Sequence, residues 1–255
     1  MKERRRAERH SLTFEIARQP DATTCGPTCL HALYRFWGDD TVALDDVIRE
    51  VPTLDSGGTL GALLGTHALG RGFRVSLYTF NLSLFDPTWF SFDRDRLIER
   101  LTAQADAKRE PRLRVATRAY LDLLSNGGEV RFADLSWRLI RRLLDAGRPV
   151  LTGLSATWLY REAREVGLEG TPDDIHGSPS GHFVVLCGYD RRSGEVLVAD
   201  PLHGSPLSAG SAVYAVAGER VINAILLGVL TYDGNLLVLE PGTRCEARVP
   251  AEAIR

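Results

Sequence analysis

The stretch QPDATTCGPTCLHALYRFWG, residues 19–38, sets a cysteine where a helix begins. Leu30, Leu33, Tyr34 and Trp37 fall at i, i+3, i+4 and i+7, the spacing of one helix face, and Gly38 stands where a C-terminal cap belongs. The spacing predicts a helix over 25–37 with Cys25 in its first turn. Thr23 or Thr24 is placed to cap that turn, and Pro27 lacks only an N–H that would have been unpaired anyway. A thiol at a helix N-terminus is useful as a nucleophile, because unpaired N–H groups and the helix dipole favour the thiolate. Gly26 keeps bulk away from the sulfur, where a substrate carbonyl must approach. The plain alternative is that Cys25 is a small buried apolar residue, as many free cysteines are. A base elsewhere in the chain is needed to decide between them.

A second stretch supplies one. GHFVVLCGYD, residues 181–190, reads as a strand that His182 opens directly after the Gly/Ser/Pro-rich HGSPSG, and VADP at 198–201 ends the next strand on Asp200. YDRRSGEV between them has the composition of a hairpin loop. In an antiparallel pair the start of one strand lies beside the end of the other, so His182 and Asp200 are expected neighbours, a base and the group that orients it. Gln19, six residues before Cys25, offers a side-chain amide that could donate to an oxyanion together with the Cys25 N–H.

The remaining sequence sets the frame for these residues. The chain has 255 residues, 44% of them apolar, with 31 basic against 33 acidic side chains and a net charge of -2. That is the balance of an ordinary soluble domain with enough length for a full core. Arginines are scattered and no basic stripe alternates with aromatics, so nucleic acid is not an expected partner. The basic MKERRRAERH is followed by no apolar run, and reads as a solvated tail over 1–12 rather than a secretory signal. AILLGVL at 224–230 is far short of a membrane span, so no membrane insertion is expected. Four cysteines (25, 29, 187 and 245) form no disulfide framework, which points to a reducing, cytoplasmic setting. No Gly-rich phosphate loop stands between a strand and a helix, and Cys25-x3-Cys29 beside His31 lacks a second matched pair. Neither a cofactor nor a metal is expected.

Further helices are predicted in TVALDDVIREV and GTLGALLGTHALGRG and over 93–107, 111–125 and 134–146, with a strand over 73–80. From 148 onward short Val/Leu-rich runs between Gly, Asp and Pro turns predict strands: RPVLTGLSA, GHFVVLCGYD, GEVLVADP and NLLVLEP. Helices first and a largely antiparallel sheet later give an α+β class. One domain over 13–255 is expected, with a helical insertion at about 81–145. The polar, Gly/Pro-punctuated segment 160–180 reads equally as a lid or as a surface excursion. Trp158 either walls a substrate pocket or belongs to the core, and His176 and His203 flank the site in sequence. Parity along the strand turns Cys187 away from His182 and into the core.

Together, QPDATTCGPTCL, GHFVVLCGYD and VADP resemble the papain-fold cysteine peptidases, in particular the C39-like group typified by the peptidase domains of bacteriocin exporters, which cleave leader peptides after a double glycine. The ordered pattern is a Gln, Cys-Gly opening a helix, Gly-His at a strand start and Asp-Pro at the end of the next strand. The resemblance implies a papain-like fold, its N-terminal helix carrying Cys25 packed on a sheet carrying His182 and Asp200. It implies Cys25 as nucleophile, His182 as general base and acid, Asp200 as orienter and Gln19 as oxyanion donor. From their own places in the sequence, Gly26, Gly181 and Trp158 are expected beside the substrate. Thr24 stands where the transporter peptidases commonly have an acidic residue, so cysteine-hydrolase chemistry is what carries over. The substrate is then a peptide or a peptide-like molecule. Transfer of the acyl group to an amine, and retention of the cleft for binding alone, are the alternatives.

Overall fold

One mixed sheet runs through the chain, and helices cover both of its faces. The computed structural model describes residues 8–55, 57–167 and 169–242. β1 (Arg9–Ser11) precedes a long loop into α1 (Cys25–Phe36), followed by α2 (Leu44–Glu50), α3 (Gly61–Gly70) and β2 (Phe73–Thr79). Next come α4 (Arg94–Ala107), α5 (Pro111–Ser125), β3 (Glu129–Arg131), α6 (Trp137–Asp145) and β4 (Val150–Ser155). α7 (Ala156–Tyr160) and a small hairpin of β5 (Glu165–Val166) and β6 (Thr171–Pro172) lead to β7 (Gly181–Asp190) and β8 (Glu195–Ala199). β9 (Val213–Ala217), α8 (Gly218–Leu227) and β10 (Asn235–Pro241) complete the described chain. The main sheet has the order β3-β2-β10-β4-β7-β8-β9, with β1 beside β7; its pairings are antiparallel except β2 with β3.

Strand parity divides the core in two. Leu237 and Leu239 of β10, with Phe183 and Val185 of β7, face a cluster built with α1 to α5. Leu236 and Val238, with Val184 and Leu186, face a cluster built with α6, α7 and α8. Strands covered on both faces read as continuous apolar runs, which is why LCGYD and LLVLE show little alternation. The segment 81–145 carries α4 and α5 on the first face, where Leu113, Tyr120 and Leu123 join the α1 core, and then α6 on the second.

Two expectations need correction here. Residues 9–11 are not part of a solvated tail, since they pair with Gly188–Asp190 of β7. β7 outruns β4, whose pairing stops at Leu186, and the exposed backbone beyond that point is filled by β1. Neither threonine caps α1 with its side chain. The Thr24 hydroxyl is instead turned back on the Asp21 backbone, while the Thr24 carbonyl accepts the Thr28 N–H. The C-terminal reading agrees with the structure: Gly38, at φ 77°, donates its N–H to the Arg35 carbonyl.

α1 lies close against the start of β7 because its contact face carries small residues. Gly26 and Cys29, three apart, share that face. A Cβ at Gly26 would stand 3.2 Å from the Phe183 ring and 2.7 Å from Thr59 Cγ2. Cys29 is fully buried and its thiol donates to the Phe183 carbonyl at 3.3 Å. Gly26→Ala therefore overpacks this contact; about 1–3 kcal/mol of lost stability is expected, read as a lower denaturation midpoint.

A buried carboxyl just ahead of β10 ties that strand to α3. Asp233 Oδ1 accepts the Gly61 N–H and the Asn235 amide, both at 3.0 Å. Burial outweighs these bonds and pushes the carboxyl up to about 7. A folded-state value above the unfolded 3.8 means that the group's stability contribution is fully present below about 3.8 and is lost as pH rises to about 7. Asp233→Asn keeps an acceptor for both donors and carries no charge. Its melting temperature should lose that downward slope and exceed the wild type's at pH 8.

Candidate active site

Four segments converge on one point at the start of β7. Cys25, in the first turn of α1, is 6% exposed, and His182, the second residue of β7, is 7% exposed. Asp200, one residue beyond β8, is buried at 1%. The β7–β8 hairpin pairs Val185 with Ala199, which carries Asp200 beside His182 as the sequence spacing requires. His182 Nε2 lies 2.9 Å from Asp200 Oδ1. That leaves Nδ1 as the ring nitrogen for the thiol. The approach of α1 through Gly26 and Cys29 brings Cys25 within reach of the same ring, where it acts both by charge and by hydrogen bond.

Electrostatics match this arrangement. Burial works against a charged imidazole, but the Cys25 sulfur and the Asp200 carboxylate overcome it and push His182 up to about 10. Burial likewise works against the Asp200 carboxylate, and hydrogen bonds and the neighbouring imidazole hold it below the ordinary carboxylate value. Two of those bonds come from residues that the sequence reading did not pick. The hydroxyls of Tyr160 on α7 and Tyr214 on β9 both donate to Asp200 Oδ2, at 2.7 and 2.5 Å. The Leu202 N–H donates to Oδ1 at 2.9 Å. Tyr214 pairs opposite Val198, so its ring reaches diagonally to Asp200 two residues on. The alternation of AVYAVAG was the available signal for that strand.

Gln19 is drawn to the site by its backbone, whose N–H donates to the Pro201 carbonyl at 3.0 Å. Its side chain is nearly buried. Nε2 donates to the Asp21 carbonyl at 2.7 Å, while Oε1 has no partner and no contact with solvent. The Asp21 acceptor fixes this orientation of the amide, and Nε2 carries a second proton beyond the one used. Gly181 precedes His182 as the exposed first residue of β7, with Thr231 Oγ1 2.8 Å from where its Cβ would be. Gly26 is buried, and the space beside it is filled by Thr59, Phe183 and Leu64.

Several other expectations resolve individually. Trp158 is 47% exposed on α7, two residues before Tyr160, and is not a core residue. The segment 160–180 holds the β5–β6 hairpin and closes at its base, where the Ala156 N–H meets the Ser180 carbonyl. His176 belongs to that segment, exposed and hydrogen-bonded to Asp173, and His203 is exposed beyond Pro201. Cys187 is buried in the cluster on the α1 face, with burial pushing its thiol up to about 12. Cys25, Cys29 and Cys187 are free thiols, and Cys245 lies outside the described residues. No helix among the described residues is long and apolar enough to cross a membrane.

Comparison with known proteins adds to this geometry. Residues 111–219 match the model of the Peptidase_C39 like family, a span that holds His182, Asp200, Tyr160 and Tyr214 and ends before the chain returns through β10. Cys25 and Gln19 lie outside the matched span. No curated protein matches the sequence. Among solved structures, the chain is similar to one described as a "putative C39-like peptidase from Bacillus anthracis", at 15% identity and a TM-score of 0.50, covering 93% of this chain and 100% of that one. At that identity the likeness speaks for the fold, a papain-like α+β arrangement with a largely antiparallel sheet. The family match thus covers the segment from α5 to the start of α8, and the structural likeness adds a shared fold over 93% of the chain.

Proposed function

We propose that this protein hydrolyses an amide bond of a peptide or peptide-like substrate through a Cys25–His182–Asp200 triad. The observation that carries the reading is His182, held between a thiol at a helix N-terminus and a buried carboxylate bonded to its other nitrogen. A buried thiol, an imidazole and a fully satisfied carboxylate in sequence are costly to assemble, and a cleft that only binds has no use for them.

The chemistry follows from the positions. Cys25 as thiolate, paired with protonated His182, attacks the carbonyl carbon, and the carbonyl electrons move to oxygen. The resulting oxyanion sits against the uncapped first turn of α1, with the Cys25 N–H and the Gln19 amide as donors. His182 gives its proton to the leaving amine as the C–N bond breaks, leaving a thioester on Cys25. Neutral His182 then takes a proton from water, which attacks the thioester and returns the thiol. Asp200 keeps the imidazole oriented throughout. Gly181 and the exposed Trp158 ring lie beside this machinery as substrate contacts. The same acyl-enzyme reacting with an amine would make the protein a transferase.

The test is Cys25 alkylation by iodoacetamide against pH, followed at Cys25 by mass spectrometry, in the wild type and in His182→Ala. The expected wild-type rate stays high well below the free-thiol pKa of about 8.5 and collapses in the variant. An ordinary thiol profile in both proteins would overturn the hydrolase reading in favour of a binding protein. Where the activated thiolate is found, adding an amine during turnover separates hydrolysis from transfer by the product formed.

A further inference from the structure

The Asp200 carboxylate carries more donors than orienting a histidine requires. Its two oxygens offer about four lone-pair directions, and four donors occupy them. Oδ1 takes His182 Nε2 and the Leu202 N–H, both at 2.9 Å, and Oδ2 takes the hydroxyls of Tyr160 and Tyr214. The tyrosines come from opposite sides of the hairpin, one from α7 after β4 and one from β9 beyond β8. Both are nearly buried, and the Tyr160 ring stands 6.0 Å from the His182 ring, centre to centre.

Such a carboxylate faces a specific difficulty. In a site of low dielectric, a buried anion beside an imidazolium gains by taking the proton, which leaves two neutral groups. A neutral His182 would then neither pair with a thiolate nor protonate a leaving amine. Donors on the carboxylate oppose that transfer, because hydrogen bonds to the charged form favour it. We propose that Tyr160 and Tyr214 are positioning residues of the site: their hydroxyls hold Asp200 as a fixed anion and so keep the shared proton on His182. This assignment rests on the triad reading above. The titratable groups that face Asp200 are His182 from β7, Tyr160 from α7, Tyr214 from β9 and Cys29 from α1, while Cys25 of α1 faces His182. The two phenols are placed to stay protonated across the working range, since burial and the Asp200 charge both push their ionisation upward.

Tyr160→Phe, Tyr214→Phe and the double variant remove the hydroxyls and keep the rings. Two readouts are needed beside the melting temperature. One is the carbon-13 shift of the Asp200 carboxyl against pH, and the other is the pH profile of Cys25 alkylation. In the double variant Asp200 should take up its proton about one pH unit or more above the wild-type value. The acidic limb of the alkylation profile should move up with it, with rates about tenfold below wild type on that limb and converging above it. Single variants, each keeping one donor, should fall between, and they carry the test if the double variant does not fold. Carboxyl and alkylation profiles that overlay the wild type while the melting temperature falls would overturn the proposal and leave the tyrosines as packing. A wild-type thiol of ordinary reactivity would sink the hydrolase reading instead, and the carboxyl titration would still decide this one.

Discussion

The contact of α1 with β7 determines whether this protein has a site at all. Cys25 and Cys29 are one turn apart, so a thiol that donates to the Phe183 carbonyl also fixes where the first turn of the helix sits. Phe183 follows His182 directly. The position of the candidate nucleophile relative to the candidate base is therefore set within one turn of helix and one residue of strand. Long flexible loops contribute nothing to that distance. Gly26 makes the approach sterically feasible, and the sequence reading assigned it a different task, room for a substrate. The structure shows neighbours filling that space, so the physical demand at position 26 already exists without a substrate.

Asp200 illustrates how a fold accommodates a costly group. Taking a carboxylate out of water costs several kcal/mol even after relaxation, and leaving its partners unpaired costs more. Here the expense is offset by donors drawn from β7, α7, β9 and the backbone just past Pro201. The elements that converge on Asp200 are thereby tied to each other. The β7–β8 hairpin, the end of β4 through α7, and the outer strand β9 share a common polar centre under the second apolar cluster. The site and the architecture on that side of the sheet are held by the same bonds.

Much of this was legible in the sequence, and the reasons differ by residue. The helix over α1 and the strands β4, β7, β8 and β10 follow from local period and turn chemistry, which act over a few residues. His182 and Asp200 were legible as neighbours because a short hairpin converts spacing into proximity. Tyr160 and Tyr214 were not, because each meets Asp200 through tertiary packing of an element whose own sequence is silent about it. β1 was hidden for a similar reason: its pairing depends on β7 being longer than β4, a property of the partner strand. Thr24 looked like a cap by residue type, and its hydroxyl found a nearer backbone partner at Asp21. Trp158 reads from sequence as either a pocket wall or a core residue, and its position on a five-residue helix at the sheet's end leaves it exposed.

The charges of the site also bear on when the fold is most secure. His182 has its folded value raised from 6.5 to about 10, so its contribution is fully present below about 6.5 and is lost as pH rises through about 10. Asp200 is shifted the other way, lowered from 3.8, so its contribution is present above about 3.8 and is lost as pH falls through its folded value. Both are in force together between those two unfolded-state values. Within the same interval Asp233 loses part of its contribution as pH rises, and the loss is complete near 7. The polar groups of the interior thus pull toward mildly acidic conditions, while the thiolate chemistry proposed for Cys25 uses the protonated His182 that persists well above them. Stability and reactivity draw on one imidazolium, and any change that releases its proton weakens both.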